Sequence, residues 1–249
     1  MEQISTVGLD LAKQVFQAHG ANASGAVVFR KKLRRGQVLQ FLATLPPCAV
    51  AMEACAGAHY WGREIVKLGH TVRLIAPAYV KPFVKRQKND AADAEAICEA
   101  AQRPTMRFVA VKSEKAQAAV ILFRTRDLLV RQRTQAINAL RGHLTEFGVV
   151  VAKGPAHVDK LIARLDDPAS ELPEEARTIL RVLVEELTAL DRRVAELDRK
   201  IARRAKEDAV ARRLMTIPGI GAVTATALVT LSHPRRAFGV VAILLPGWG

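Results

Sequence analysis

Seven apolar residues, Leu180, Leu183, Leu187, Leu190, Val194, Leu197 and Ile201, recur at alternating spacings of three and four. That rhythm admits one conformation, a long α-helix with a single apolar stripe, and the stripe has to be covered. It can be covered by helices of the same chain or by a coiled coil between chains, and the spacing leaves both open. Upstream, "SEKAQAAVILFRTRDLLVRQRTQAINALRGHLTEFG" (113–148) has almost no helix breaker and predicts one long helix or two in series. "GPAHVDKLIARLDDPASELP" (154–173) reads as a linker with short helical content.

The first 110 residues have a different texture. "ISTVGLD", "VFQAHGA" and "GAVVFRKKL" are short apolar runs separated by turn residues, notably "NASG", and predict a three-stranded antiparallel meander. "GQVLQFLATL" has helical spacing and is stopped by Pro46 and Pro47. "CAVAMEA" predicts a buried strand ending at Glu53, "HYWGREIVKLG" an amphipathic helix stopped by Gly69, and "HTVRLIAP" another strand closed by Pro77. Strands alternating with helices imply parallel pairing in this second half, giving a mixed sheet with helices on its faces.

A carboxylate pattern lies on that frame. Asp10 ends the first strand and Glu53 ends a later one. In "KNDAADAEAI", Asp90 and Asp93 stand three apart in an Ala-rich helical run and so share a face. Like charges at that spacing destabilise a helix by roughly 0.2–0.5 kcal/mol. Carboxylates gathered at one point also raise each other's pKa. Magnesium, as two oxygen-liganded ions, offsets both effects and sets up in-line attack on a phosphodiester. Lys13 lies close to the first carboxylate and reads as a solvated lysine; Glu95 and Glu99 read as surface residues of the same helix.

Charge points to the partner. Lys plus Arg number 38 against 24 Asp plus Glu, a net charge of +14, which favours a polyanion such as nucleic acid. In "LMTIPGIGAVTATALVT", Pro218, Gly219 and Gly221 form a turn between two helices, where backbone N–H groups can approach a nucleic-acid phosphate. Cys48, Cys55 and Cys98 fit neither a disulfide framework nor a CxxC site, which suits a reducing cytoplasm. No signal-peptide pattern and no apolar run of membrane-spanning length are found, so no membrane partner is expected.

The strings "VGLDLAKQVFQ", "AMEACAGAHYWGREI", "APAYVKPFVKRQKNDAADAEAI" and "IPGIGAVTATAL" together resemble the DEDD transposases of the IS110 group of bacterial insertion sequences. The resemblance runs, in order, over about residues 4–235. It implies an α/β N-terminal domain of ribonuclease H type, like the junction resolvase RuvC, over 1–110. An all-α coiled-coil region at 111–206 and a C-terminal transposase domain with a helix–hairpin–helix element at 207–249 follow. By motif it makes Asp10, Glu53, Asp90 and Asp93 the catalytic, metal-binding tetrad. It also implies transposon-end and target DNA, a structured guide RNA and a homo-oligomer as partners. Members of the family continue past the glycine hairpin to a segment with a nucleophilic serine. Here "LSHPRRAFGVVAILLPGWG" departs from that pattern, Ser232 stands in the wrong surroundings for the role, and a truncation or frameshift near Phe238 is expected. The rival readings are a junction-resolvase-like nuclease, an actin-like ATPase, which lacks its second Gly-rich loop here, and a DNA/RNA-binding remnant without activity.

Overall fold

The computed structural model describes residues 3–85, 90–152, 154, 157–170 and 172–231, with the backbone alone at positions 90 and 231. Two compact units result, 1–115 and 116–249.

The first unit begins with β1 (Thr6–Asp10), β2 (Val15–Ala21) and β3 (Val27–Arg34). It continues with α1 (Val38–Ala43), β4 (Ala49–Glu53), α2 (Ala58–Lys67), β5 (Thr71–Ile75), the short α3 (Pro77–Val80), α4 (Asp90–Ala101) and β6 (Phe108–Val109). The strands form one mixed sheet in the order β3-β2-β1-β4-β5-β6. The meander is antiparallel, and β1–β4 and β4–β5 are parallel, as the alternation of strands and helices predicts. β6 pairs antiparallel with β5 through two residues and is too short to leave a periodic signal.

Strand alternation sorts the core into two layers. Val7, Leu9, Val50 and Met52 point to one face, against Val38 and Leu42 of α1 and Trp61 and Ile65 of α2. Ala51 and Ile75 point to the other, against Ile97, Ala100 and Ala101 of α4. Gly8 also faces α4, and it has to be glycine. A Cβ there would lie 2.2 Å from the Ala94 carbonyl oxygen and 2.6 Å from the Cys98 nitrogen. A missing side chain thus lets the α4 backbone rest on the sheet.

The second unit contains most of α5 (Glu114–Glu146), then α6 (Val158–Asp166), α7 (Glu174–Glu207), α8 (Ala209–Leu214) and α9 (Ala222–Leu231). The heptad stripe of α7 is covered from within the chain. Leu140 and Leu144 of α5 cluster with Leu161 and Leu165 of α6 and Leu180 of α7. Ile137 and Val158 meet Leu187. Arg133 bonds Asp191 at 3.1 Å, and Arg126 forks onto Asp198, with Nη2–Oδ2 at 3.3 Å. As α5 positions rise, their α7 partners fall, so the two long helices run antiparallel. At the far end of α7, Ala205 packs with Ala211 of α8 and Ala225 of α9. Arg177, only 8% exposed, donates to the carbonyls of Leu165, Asp167 (3.1 Å) and Ser170 (3.4 Å), and to Ser170 Oγ (3.0 Å). It closes the C-terminal end of α6, whose last carbonyls have no helical partner.

Candidate functional site

Parallel pairing of β1 with β4 places Leu9 opposite Met52, so Asp10 and Glu53 follow side by side at the carboxyl end of adjacent central strands. Leu9 and Met52 face the α1/α2 layer, so the next residue on each strand turns to the opposite face. Asp10 and Glu53 therefore share the α4 side of the sheet. Glu53 pairs with Ile75, which packs in the α4 layer, in agreement with that assignment.

The helix arrives from the other direction. Ala94 lies over Gly8, and the Cys98 thiol, one turn on, reaches back to the Thr6 carbonyl at 3.7 Å. α4 thus runs opposite to β1, and its first turn lies toward the Asp10 end. Its sheet-facing row is Ala94, Ile97, Cys98 and Ala101, all buried. Asp93 lies four residues before Ile97, and position 90 lies four before Ala94, so both extend that row past the last sheet contact. Asp10, Glu53 and Asp93 are all half-buried; the side chain of Asp90 lies outside the described residues.

The Cys55 thiol reports the electrostatics between the strands. Burial pushes its pKa up, and the charges of Glu53 and then Asp10 push it further. Two separate carboxylates thus act on one point just after β4. Among the described residues, no group of three or more His, Cys, Asp or Glu side chains is close enough to hold a metal ion. The donors at this edge are carboxylate oxygens, the type that a hard divalent cation prefers.

The surroundings supply positive charge. Lys13, in the β1–β2 turn, is exposed as expected. Arg35 donates to its carbonyl at 3.5 Å and stacks over the Trp61 ring at 5.1 Å. Glu95 differs from its reading as a surface residue. It is half-buried, accepts from Arg30 at 3.2 Å and from the Lys85 ammonium, and so ties the chain before α4 to the helix and to β3. The hydrogen bond from Lys85 holds the Glu95 carboxyl below its ordinary range, with Lys85 and Arg30 charges adding to that and burial opposing it. An isolated glutamate on a helix gives no signal of such a role, because one partner comes from β3, 65 residues away, and the other from the irregular chain before the helix.

Pro218, Gly219 and Gly221 form the turn between α8 and α9, apart from the carboxylates in sequence. Gly219 has φ +85°, which favours glycine, and the Ile220 amide closes the turn on the Ile217 carbonyl at 3.1 Å. Ser232 and Phe238 lie outside the described residues.

A family model described as transposase, of the DEDD IS110 type, matches residues 7–149. The chain belongs to the IS110 family of DEDD transposases. Over 238 residues it is 49% identical to a protein of Pseudomonas aeruginosa described as a probable family 20 transposase, covering 94% of this chain and 70% of that one. It is 44% identical to the transposase for insertion sequence element IS1328 of Yersinia enterocolitica, covering 92% of this chain and 68% of that one. With the transposase for element IS1111A of Coxiella burnetii the identity is 38%, covering 90% of this chain and 62% of that one. The chain spans between 62% and 70% of the length of these relatives. Among the described residues, no helix is long and apolar enough to cross a membrane.

Proposed function

We propose that this chain is the catalytic part of an insertion-sequence transposase acting on DNA phosphodiesters, with Asp10, Glu53, Asp90 and Asp93 as its acidic centre. One observation carries the reading: two carboxylates at adjacent parallel strand ends share a sheet face with the helical row that begins at positions 90 and 93. Family membership supports it. The four residues would hold magnesium, as two ions, which when bound would supply charge stabilisation at the phosphodiester oxygens. The chain's own contribution is to fix the donors. The strands set the spacing of Asp10 and Glu53, and close packing of α4 on Gly8 sets the helix that carries the aspartates. Lys13, exposed in the turn that follows Asp10, attracts the phosphate backbone.

The partners follow from charge. A net charge of +14 supports binding to DNA and to a structured RNA, with the Gly219 turn between α8 and α9 acting as a helix–hairpin–helix contact on phosphates. The test is strand cleavage and joining of transposon-end DNA with Mg²⁺ and a candidate RNA, comparing the wild-type chain with Asp10→Asn and Asp90→Asn. Loss of reaction in both variants, with folding retained, supports the reading. Equal activity in all three proteins overturns the acidic centre. A wild-type chain that binds both nucleic acids but never reacts favours a binding protein instead.

A further inference from the structure

The segment "FRKKLRR" (29–35), which lies in β3 as far as Arg34, reads in sequence as a basic run, and sheet register resolves its strand part into two faces. Leu33 is buried in the α1/α2 layer, and Lys31 lies over the Phe41 ring at 4.5 Å on that same side. Arg30, Lys32 and Arg34 therefore project to the α4 side, opposite His19, Gln17 and Val15 of β2. Asp10 in turn pairs with Gln17. Lys32, Gln17, Asp10 and Glu53 thus form one row across four neighbouring strands on one face, with the cation at one end and the carboxylates at the other.

β3 is the sheet's edge strand, and all three cationic side chains on this face are exposed. Arg30 is paired with Glu95; among the described residues, no carboxylate pairs with Lys32 or Arg34. Alternate residues of a strand are about 6.8 Å apart, and neighbouring strands about 4.8 Å. The ladder is therefore a run of evenly spaced positive charges along β3, and its middle member, Lys32, is level with the acidic row, about 10 Å of backbone from Asp10.

We infer that Arg30, Lys32 and Arg34 form a phosphate ladder that receives the DNA strand leading to the scissile phosphodiester. The inference rests on the acidic centre proposed above and adds the path of its substrate. The occupant is a single DNA strand. Charge complementarity selects a polyanion, the even spacing suits a repeating backbone, and Lys32 at the middle of the ladder is level with the carboxylates beside which the reacting phosphate would lie. Lys31, turned to the other face, takes no part.

The test uses the whole chain, a mixed-sequence single-stranded DNA oligonucleotide and EDTA, so that binding is read apart from chemistry. Binding is titrated across salt for wild type, the double variant Lys32→Ala/Arg34→Ala, and Lys31→Ala. Both substituted ladder residues are exposed, and thermal melting checks that the fold is kept. The double variant is expected to lose two phosphate contacts, lowering the slope of log affinity against log salt by about 1.4, at about 0.7 per contact. Lys31→Ala is expected to keep the wild-type slope. An unchanged slope in the double variant, an equal drop in Lys31→Ala, or a loss seen with an RNA strand alone overturns the ladder. Failure of the wild type to bind DNA at all overturns the proposed function instead, so the two failures are distinguishable.

Discussion

Gly8 of β1 lies directly beneath Ala94 of α4, and a Cβ on Gly8 would meet the Ala94 carbonyl oxygen at 2.2 Å. The obstacle is backbone, which cannot rotate aside as a side-chain tip can. Gly8→Ala is therefore expected to lift α4 and destabilise the chain by about 1–3 kcal/mol, as overpacked cores do. Urea unfolding reads the loss directly; an unchanged midpoint would show that α4 does not rest on this residue. Activity should fall further than stability, because α4 carries Asp90 and Asp93.

Arg177 closes α6 through Leu165, Asp167 and Ser170. Arg177→Ala leaves a set of poorly solvated acceptors without donors, at an expected loss of about 3 kcal/mol. Arg177→Lys should recover only part of it, since an ammonium cannot reproduce the planar fork. Denaturant midpoints of the three proteins check the order, and full recovery by lysine would contradict it.

The antiparallel pairing of α5 and α7 is tested by charge reversal. Arg133→Asp and Asp191→Arg should each weaken the fold, and the double reversal should recover much of the loss. The coupling is expected at about 0.2–1 kcal/mol, as the pair is partly exposed. Additive losses in the double-mutant cycle would argue against the register.

Two groups make the first unit sensitive to acid. Burial, the largest influence, lowers the His19 pKa, with Glu95 opposing and Arg30 and Lys85 reinforcing that shift. The folded chain therefore resists a proton that the unfolded chain takes up below about pH 6.5, and stability falls as pH drops past that value. Glu95 has a lowered folded pKa, mainly through Lys85. Its stabilisation is complete above the ordinary glutamate pKa of about 4.3 and is lost as pH falls through the folded value. Glu95→Gln should thus differ from wild type at pH 7 and converge with it in strong acid. A constant gap across the titration would show that the ion pairs contribute nothing.

Much of this arrangement is legible in the sequence, and the rest fails for identifiable reasons. Short strand runs and their turns gave the meander, and helix-strand alternation gave the parallel pairs, because both depend on local periodicity. Asp10 and Glu53 were legible as strand ends. Their common face was not, since it depends on the register that sets Leu9 beside Met52. The stripe from Leu180 to Ile201 announced a face in need of cover without saying which helix supplies it. Over Leu180 to Leu187, α5 and α6 do, and Arg133 and Asp191 become partners only once that hairpin exists. Arg30, Lys32 and Arg34 looked like undifferentiated basic residues for the same reason: faces of a strand are separated by its neighbours.

The basic edge has a second consequence, for solubility. β3 leaves a row of main-chain donors and acceptors open at the side of the sheet, the kind of border on which another copy could stack and begin an aggregate. Any second β3 laid against it would bring arginines and lysines against arginines and lysines. The same charges that would welcome a phosphate backbone thus turn away the chain's own twin.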